Sequence, residues 1–96
     1  MIVGFGSEAT EDIFHANNTK AARRIPIAIW KIACRKLDML NAAHELRDVL
    51  APPANRLEAL RGDLAGWHSI RINDQFRIIF RWKDGNAHDV RIIDYH

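Results

Sequence analysis

Residues 67–93, WHSIRINDQFRIIFRWKDGNAHDVRII, decide the fold. Apolar and polar side chains alternate along this stretch with a period of two, the spacing of a half-buried strand, and two polar breaks interrupt it. The first break is Asn73-Asp74-Gln75; the second runs from Lys83 to Asn86 and contains Asp84-Gly85. An Asp-Gly pair favours a hairpin because glycine takes positive φ without strain. Connections this short force antiparallel neighbours. Strands are therefore expected at 67–72, 76–82 and 87–93, and RLEAL at 56–60 adds another through the RGDLAG loop.

Alternation also sorts side chains between the two faces of the sheet. Ile70, Ile72, Phe76, Ile78, Phe80, Trp82, Val90 and Ile92 fall on one face, together with His68 and His88. The other face receives Ser69, Arg71, Arg77, Ile79, Arg81, Arg91, Ile93 and Tyr95. The apolar face requires a cover. Arginines from three strands on the polar face repel one another unless carboxylates or an anionic partner lie among them. Protection of a sheet from edge pairing is a plainer account of any one of them.

The cover comes from the first half of the chain. Residues 2–5, IVGF, suit a short first strand, and Ser7 suits a helix N-cap with Glu8, Glu11 and Asp12 following, where carboxylates complement the helix dipole. That helix should fade near Ala16-Asn17-Asn18. A second helix is expected from about Pro26, with Ile29, Ile32, Ala33, Leu37 and Leu40 on its apolar stripe and Trp30 beside it. Pro52 and Pro53 end the helical half at the APPAN junction. Helices followed by a run of antiparallel strands give an α+β domain spanning residues 1–96, with the N-terminal helices packed on one face of a mostly antiparallel sheet.

Composition narrows the function. Ninety-six residues support a single core. One cysteine, Cys34, excludes an intramolecular disulfide framework and a Cys-rich zinc pattern, no apolar run reaches the length of a membrane span, and MIVGFGSEATED does not read as a signal peptide. A cytoplasmic setting is the expectation. Fourteen Lys and Arg against 12 Asp and Glu give a net charge of only +2, so placement rather than total charge has to argue for an anionic partner. From Arg56 onward six of the seven basic residues are arginine, whose planar fork grips phosphate.

The chain closes on Asp94-Tyr95-His96. A normally ionised carboxylate, an imidazole able to exchange a proton near neutrality and a phenol that hydrogen-bonds or stacks form either a polar tail or part of a working site. With LRGD at 60–63, GWHSIRIND at 66–74, the aromatic-Arg pair at 76–77, the Asp-Gly hairpin and the terminal DYH, residues 55–96 resemble the HigB toxins of the RelE/ParE superfamily. Residues 1–54 are similar more loosely, through MIVGF, Ile13-Phe14 and the second helix.

The resemblance implies a RelE/ParE-like fold with a curved sheet and a toxin of a type II toxin-antitoxin module that cleaves mRNA in the ribosome without a cofactor or metal. It also implies neutralisation by a HigA-like helix-turn-helix antitoxin, with operator DNA met only through that antitoxin and no membrane partner. Cleavage without metal needs a base for the 2′-hydroxyl, charge stabilisation at the phosphate and an acid for the leaving 5′-oxygen. By resemblance Arg77, Asp94, Tyr95 and His96 are the catalytic candidates and Arg61 an RNA-binding one; Arg71 and Arg91 join it as RNA-binding candidates from the arginine face that alternation gives. Asp94 and His96 alternate away from Arg77, so joint action of all four requires a bend after Ile93.

Glu58 departs from the pattern, because the resemblance places a histidine there. A glutamate could serve as general base, or pair as an outward strand residue with Arg56 or Arg61. His15 and His44 lack partners at metal-ligand spacing, and His68 and His88 suit structural imidazoles on the helix-covered face. Trp67 could stack on a base or pack under a loop. Two further functions fit the same fold: a ParE-like inhibitor of a protein target such as DNA gyrase, and an inactive antitoxin-binding module.

Overall fold

The structure, a computed structural model, describes residues 1–95; His96 lies outside the described residues. Four strands form an antiparallel sheet in sequence order: β1 (Glu58–Ala59), β2 (Trp67–Arg71), β3 (Phe76–Lys83) and β4 (Asn86–Asp94). Two helices, α1 (Glu8–Phe14) and α2 (Trp30–Ala42), precede it. Ile13 from α1 and Ala33, Leu37 and Leu40 from α2 share one buried cluster with Ile70, Ile78, Phe80, Val90 and Ile92. The helices thus cover the face that alternation marks as apolar.

Each helix carries the signals that shape it. Ser7 caps α1, its Oγ accepting from the Thr10 amide at 3.2 Å. Thr10 is buried, and its Oγ1 accepts the Ile92 amide at 2.9 Å, which fastens α1 to β4, the strand that leads into Tyr95. Helix α2 begins later than expected: Pro26 leads into a single tight turn, Ile27–Ile29, and α-helical bonding starts at Trp30. Its buried stripe also differs. Ile32 is 37% exposed, whereas Lys36 is buried, with Nζ donating to Asn55 Oδ1. Asn55 Nδ2 in turn donates to the Val49 and Ala51 carbonyls, so the APPAN junction is tied to α2 by a polar network that no apolar pattern announces.

Three expectations about the strands need correction. IVGF pairs only through isolated parallel bridges to the free edge of β4, Ile2 with Ala87 and Phe5 with Val90. RLEAL shrinks to the two residues of β1, because Arg56 sits in the left-handed region at φ 45° and cannot extend the ladder. The alternation of β4 is broken by a bulge between the pairs Ile79–Arg91 and Arg81–His88, with Asp89 at φ 53°. The bulge turns His88 onto the face of Arg81, away from the helices, which overturns its placement beside Val90 and Ile92. His68 does occupy the helix-covered face, stacked on Phe80 at 6.0 Å.

The outward face is not a bare row of charges. Ile79 and Ser69 point to it and are nevertheless buried. Trp67 lies there too, as the first residue of β2, with guanidinium carbons of Arg81 and Arg91 5.7 and 5.3 Å from the indole centroid.

Candidate active site

Arg77 is the centre of one end of the outward face. As the second residue of β3 it is held by backbone ladders on both sides, opposite Arg71 on β2 and Ile93 on β4. Its side chain is only 14% exposed. One Nη lies 3.5 Å from Glu58 Oε1 and donates to Ser69 Oγ at 3.4 Å, and the guanidinium carbon is 4.7 Å from the centroid of the Tyr95 ring. A guanidinium carries five N–H donors in a fixed fork, so these long contacts orient it and leave donors for an oxyanion.

Beside Arg77, Glu58, Ala59, Leu60, Arg61 and Tyr95 line an open concavity of about 670 Å³. Arg61 enters it from the loop that closes the β1–β2 hairpin, where the Leu60 amide donates to the Trp67 carbonyl at 2.8 Å and Gly62 turns the chain at φ 64°. Glu58 faces Arg77 rather than Arg56 or Arg61, the partners its spacing suggests. The reason is topological: β1 pairs with β2 so that Glu58 lies opposite Ser69, on the Arg77 side of the sheet.

Of the four catalytic candidates, Arg77 and Tyr95 come together and Asp94 does not. The ladder runs through Tyr95, whose amide donates to the Gln75 carbonyl at 2.6 Å, so alternation persists to that point instead of bending after Ile93. Tyr95 therefore meets Arg77. Asp94 stands opposite Phe76, accepts from Gln75 Nε2 at 2.9 Å, and borders a separate hollow with Ser7, Glu8, Arg24 and Pro26. The fourth, His96, lies outside the described residues.

The other arginines are committed to different degrees. Arg71 pairs with exposed Asp74. Arg91 is drawn toward the N-terminal segment: a Cβ on Gly6 would stand 2.5 Å from Arg91 Nε, so only glycine leaves room for that guanidinium. Its Nε is buried, with no hydrogen-bond partner among the described residues. Sequence reasoning missed Ser69 and Gly6. Alternation places Ser69 on the right face, but its role depends on which β3 residue lies diagonal to it; Gly6 gives no local signal, because its contact is 85 residues away in sequence. Among the described residues no three His, Cys, Asp or Glu side chains converge as ligands for a metal ion.

Residues 5–96 match the family described as RelE-like toxin of type II toxin-antitoxin system HigB. The chain belongs to the HigB toxin family. It is 50% identical over 68 residues to Toxin HigB-1 of Vibrio cholerae, covering 71% of this chain and 72% of that protein. Among solved structures, the YoeB-YefM complex from Staphylococcus aureus contains a chain similar at TM-score 0.61 and 17% identity, covering 100% of this chain and 98% of that one. YafQ from Escherichia coli is similar at TM-score 0.55 and 15% identity, over 98% and 93% of the two chains. At such identities the likeness establishes the fold alone. The α+β architecture is thus that of the RelE-like toxins, and the HigB family is one of type II toxin-antitoxin toxins. No helix among the described residues is long and apolar enough to cross a membrane.

Proposed function

We propose that this HigB-family toxin arrests translation by cutting mRNA on the ribosome, using acid/base phosphodiester chemistry at the Arg77 concavity. The observation that carries the reading is the guanidinium of Arg77, held by a hydroxyl and by a carboxylate and an aromatic ring, Glu58 and Tyr95, that themselves line the open hollow. Arg77 binds the scissile phosphate and stabilises the charge that develops on it, with Arg61 as a second, more mobile cation. Glu58 accepts the proton of the attacking 2′-hydroxyl, whose oxygen bonds to phosphorus as the bond to the 5′-oxygen breaks. His96 gives that leaving oxygen its proton. The products are a 2′,3′-cyclic phosphate and a 5′-hydroxyl end. Tyr95 orients Arg77 and offers its ring to a base.

Asp94 has a supporting place in this scheme, setting the end of β4 through Gln75. Arg71 and Arg91 contribute positive potential along the same face. The partner proposed is a HigA-like helix-turn-helix antitoxin, as the pairing of YoeB with YefM suggests by analogy. Cleavage assays on purified ribosomes programmed with mRNA, run beside the same mRNA free in solution, test the scheme. Cuts confined to the ribosome-bound message and lost in Arg77→Ala support it. Growth arrest by the wild type without any cut directs attention to a protein target such as DNA gyrase.

A further inference from the structure

The same outward face carries a second hollow at its far end, of about 430 Å³, lined by Ala65, Gly66, Trp67, Arg81, Trp82, Lys83 and His88. Three of these form one row across the sheet: Trp67 on β2 stands opposite Arg81 on β3, which stands opposite His88 on β4. His88 joins the row only because Asp89, a residue with a side chain, occupies the left-handed region and forms the bulge. Without the bulge the imidazole would point at the helices. Bulges that re-aim a side chain concentrate at functional sites, and strain of this kind persists where the surroundings enforce it.

The indole is held in place. Arg81 and Arg91 both lie over Trp67, and Arg91 does so without lining the hollow. Asp89 fixes Arg81 from the side, accepting from its Nε at 2.9 Å and lying 2.6 Å from an Nη. That carboxylate offsets one positive charge. Lys83 is exposed, and the His88 imidazole is anchored at the Lys83 carbonyl, 3.3 Å from Nε2. A fixed aromatic ring beside a guanidinium, an ammonium and an imidazole is the combination that holds single-stranded nucleic acid: rings stack bases whatever their sequence and cations follow the backbone.

We propose that this hollow is a second RNA subsite, which takes a nucleotide of single-stranded RNA outside the scissile step, at Trp67, Arg81, Lys83 and His88. The inference rests on the RNA-cleaving reading and extends it. Arg77 and Arg81 are four residues apart on one strand, so the two sites are separated by roughly 13 Å along a continuous face. A strand of RNA lying along β3 reaches both.

The test uses the full chain on ribosomes programmed with mRNA, comparing wild type, Lys83→Ala/His88→Ala and Arg77→Ala. Thermal melts first confirm that the double variant, altered only at the surface, is folded. The subsite predicts a KM raised about tenfold in the double variant with kcat little changed, whereas Arg77→Ala loses kcat. A photoreactive thiouridine placed along the mRNA should cross-link to Trp67 or its loop at one position away from the cut. Cross-linking of ribosomal RNA there instead also supports the subsite and assigns its source. A KM within twofold of wild type overturns the inference while leaving the proposed cleavage intact. Undiminished cleavage by Arg77→Ala removes the proposed function and this inference with it. Loss of toxicity in the double variant with cleavage kinetics unchanged overturns the inference in favour of a protein contact.

Discussion

Replacing Glu58 by glutamine keeps the side chain's shape and removes both its charge and its ability to take a proton. At 3.5 Å from Arg77 the ion pair is worth about 1.2 kcal/mol in bulk water, and Glu58 is 49% exposed. Measured pairs of this kind contribute ~0.2–1 kcal/mol once screening and side-chain entropy are included. The variant should therefore unfold within about 1 kcal/mol of wild type, a shift in Tm of no more than roughly 4–8 °C for a domain of this size. Its effect on the reaction is far larger. Loss of a general base lowers kcat by about 10²–10⁴. Since the charge of Arg77 is no longer offset, KM should not rise. Glu58→His, which restores a proton acceptor, should recover kcat to within about tenfold of wild type. Single-turnover cleavage on programmed ribosomes, with a urea unfolding curve for each variant, reads all three quantities. A kcat for Glu58→Gln within a fewfold of wild type would refute the role of Glu58 as base and leave it a tether for Arg77.

Other consequences follow from residues further from the concavity. Phe80 is fully buried between the helices and the sheet, so Phe80→Ala should cost about 3–5 kcal/mol in urea unfolding, a large share of a small domain's stability. In Gly6→Ala the new Cβ collides with the flexible end of Arg91 rather than with backbone. Its guanidinium should leave Trp67, lowering stability by only ~0.5–1 kcal/mol, and a loss above about 3 kcal/mol would show that Gly6 is needed for its backbone instead. Burial holds the His68 pKa below its usual 6.5, and Nδ1 has no hydrogen-bond partner among the described residues. The folded state therefore binds fewer protons than the unfolded one below pH 6.5. Stability is complete above that value and falls as pH drops toward the depressed folded pKa. His68→Phe should flatten that part of the urea-stability profile, and an unchanged slope would count against it.

The sheet was legible because its signals are local: alternation in residues 67–83 gives β2 and β3 and their apolar face, and one Asp-Gly turn gives the hairpin from β3 to β4. What escaped was set by contacts distant in sequence. The bulge at Asp89 depends on which residues β3 presents to β4, so period-two counting carried His88 to the wrong face. Lys36 reads as a surface residue until Asn55, from a loop 19 residues on, supplies an acceptor beneath it. In the site, Arg77 and Tyr95 meet because alternation holds to the end of β4, and the same alternation carries Asp94 away from them. Glu58 could be placed on a strand from sequence, but its partner could not, since β1 is only two residues long and its register comes from β2.

The central claim is that Arg77 acts on RNA. Mapping mRNA 5′ ends in translating cells after brief induction of wild type and of Arg77→Ala/Tyr95→Ala addresses it most directly. The account predicts new 5′-hydroxyl ends within translated codons for the wild type, absent from the variant, with growth arrest lost in parallel. Arrest by both proteins with no new ends in either would contradict it.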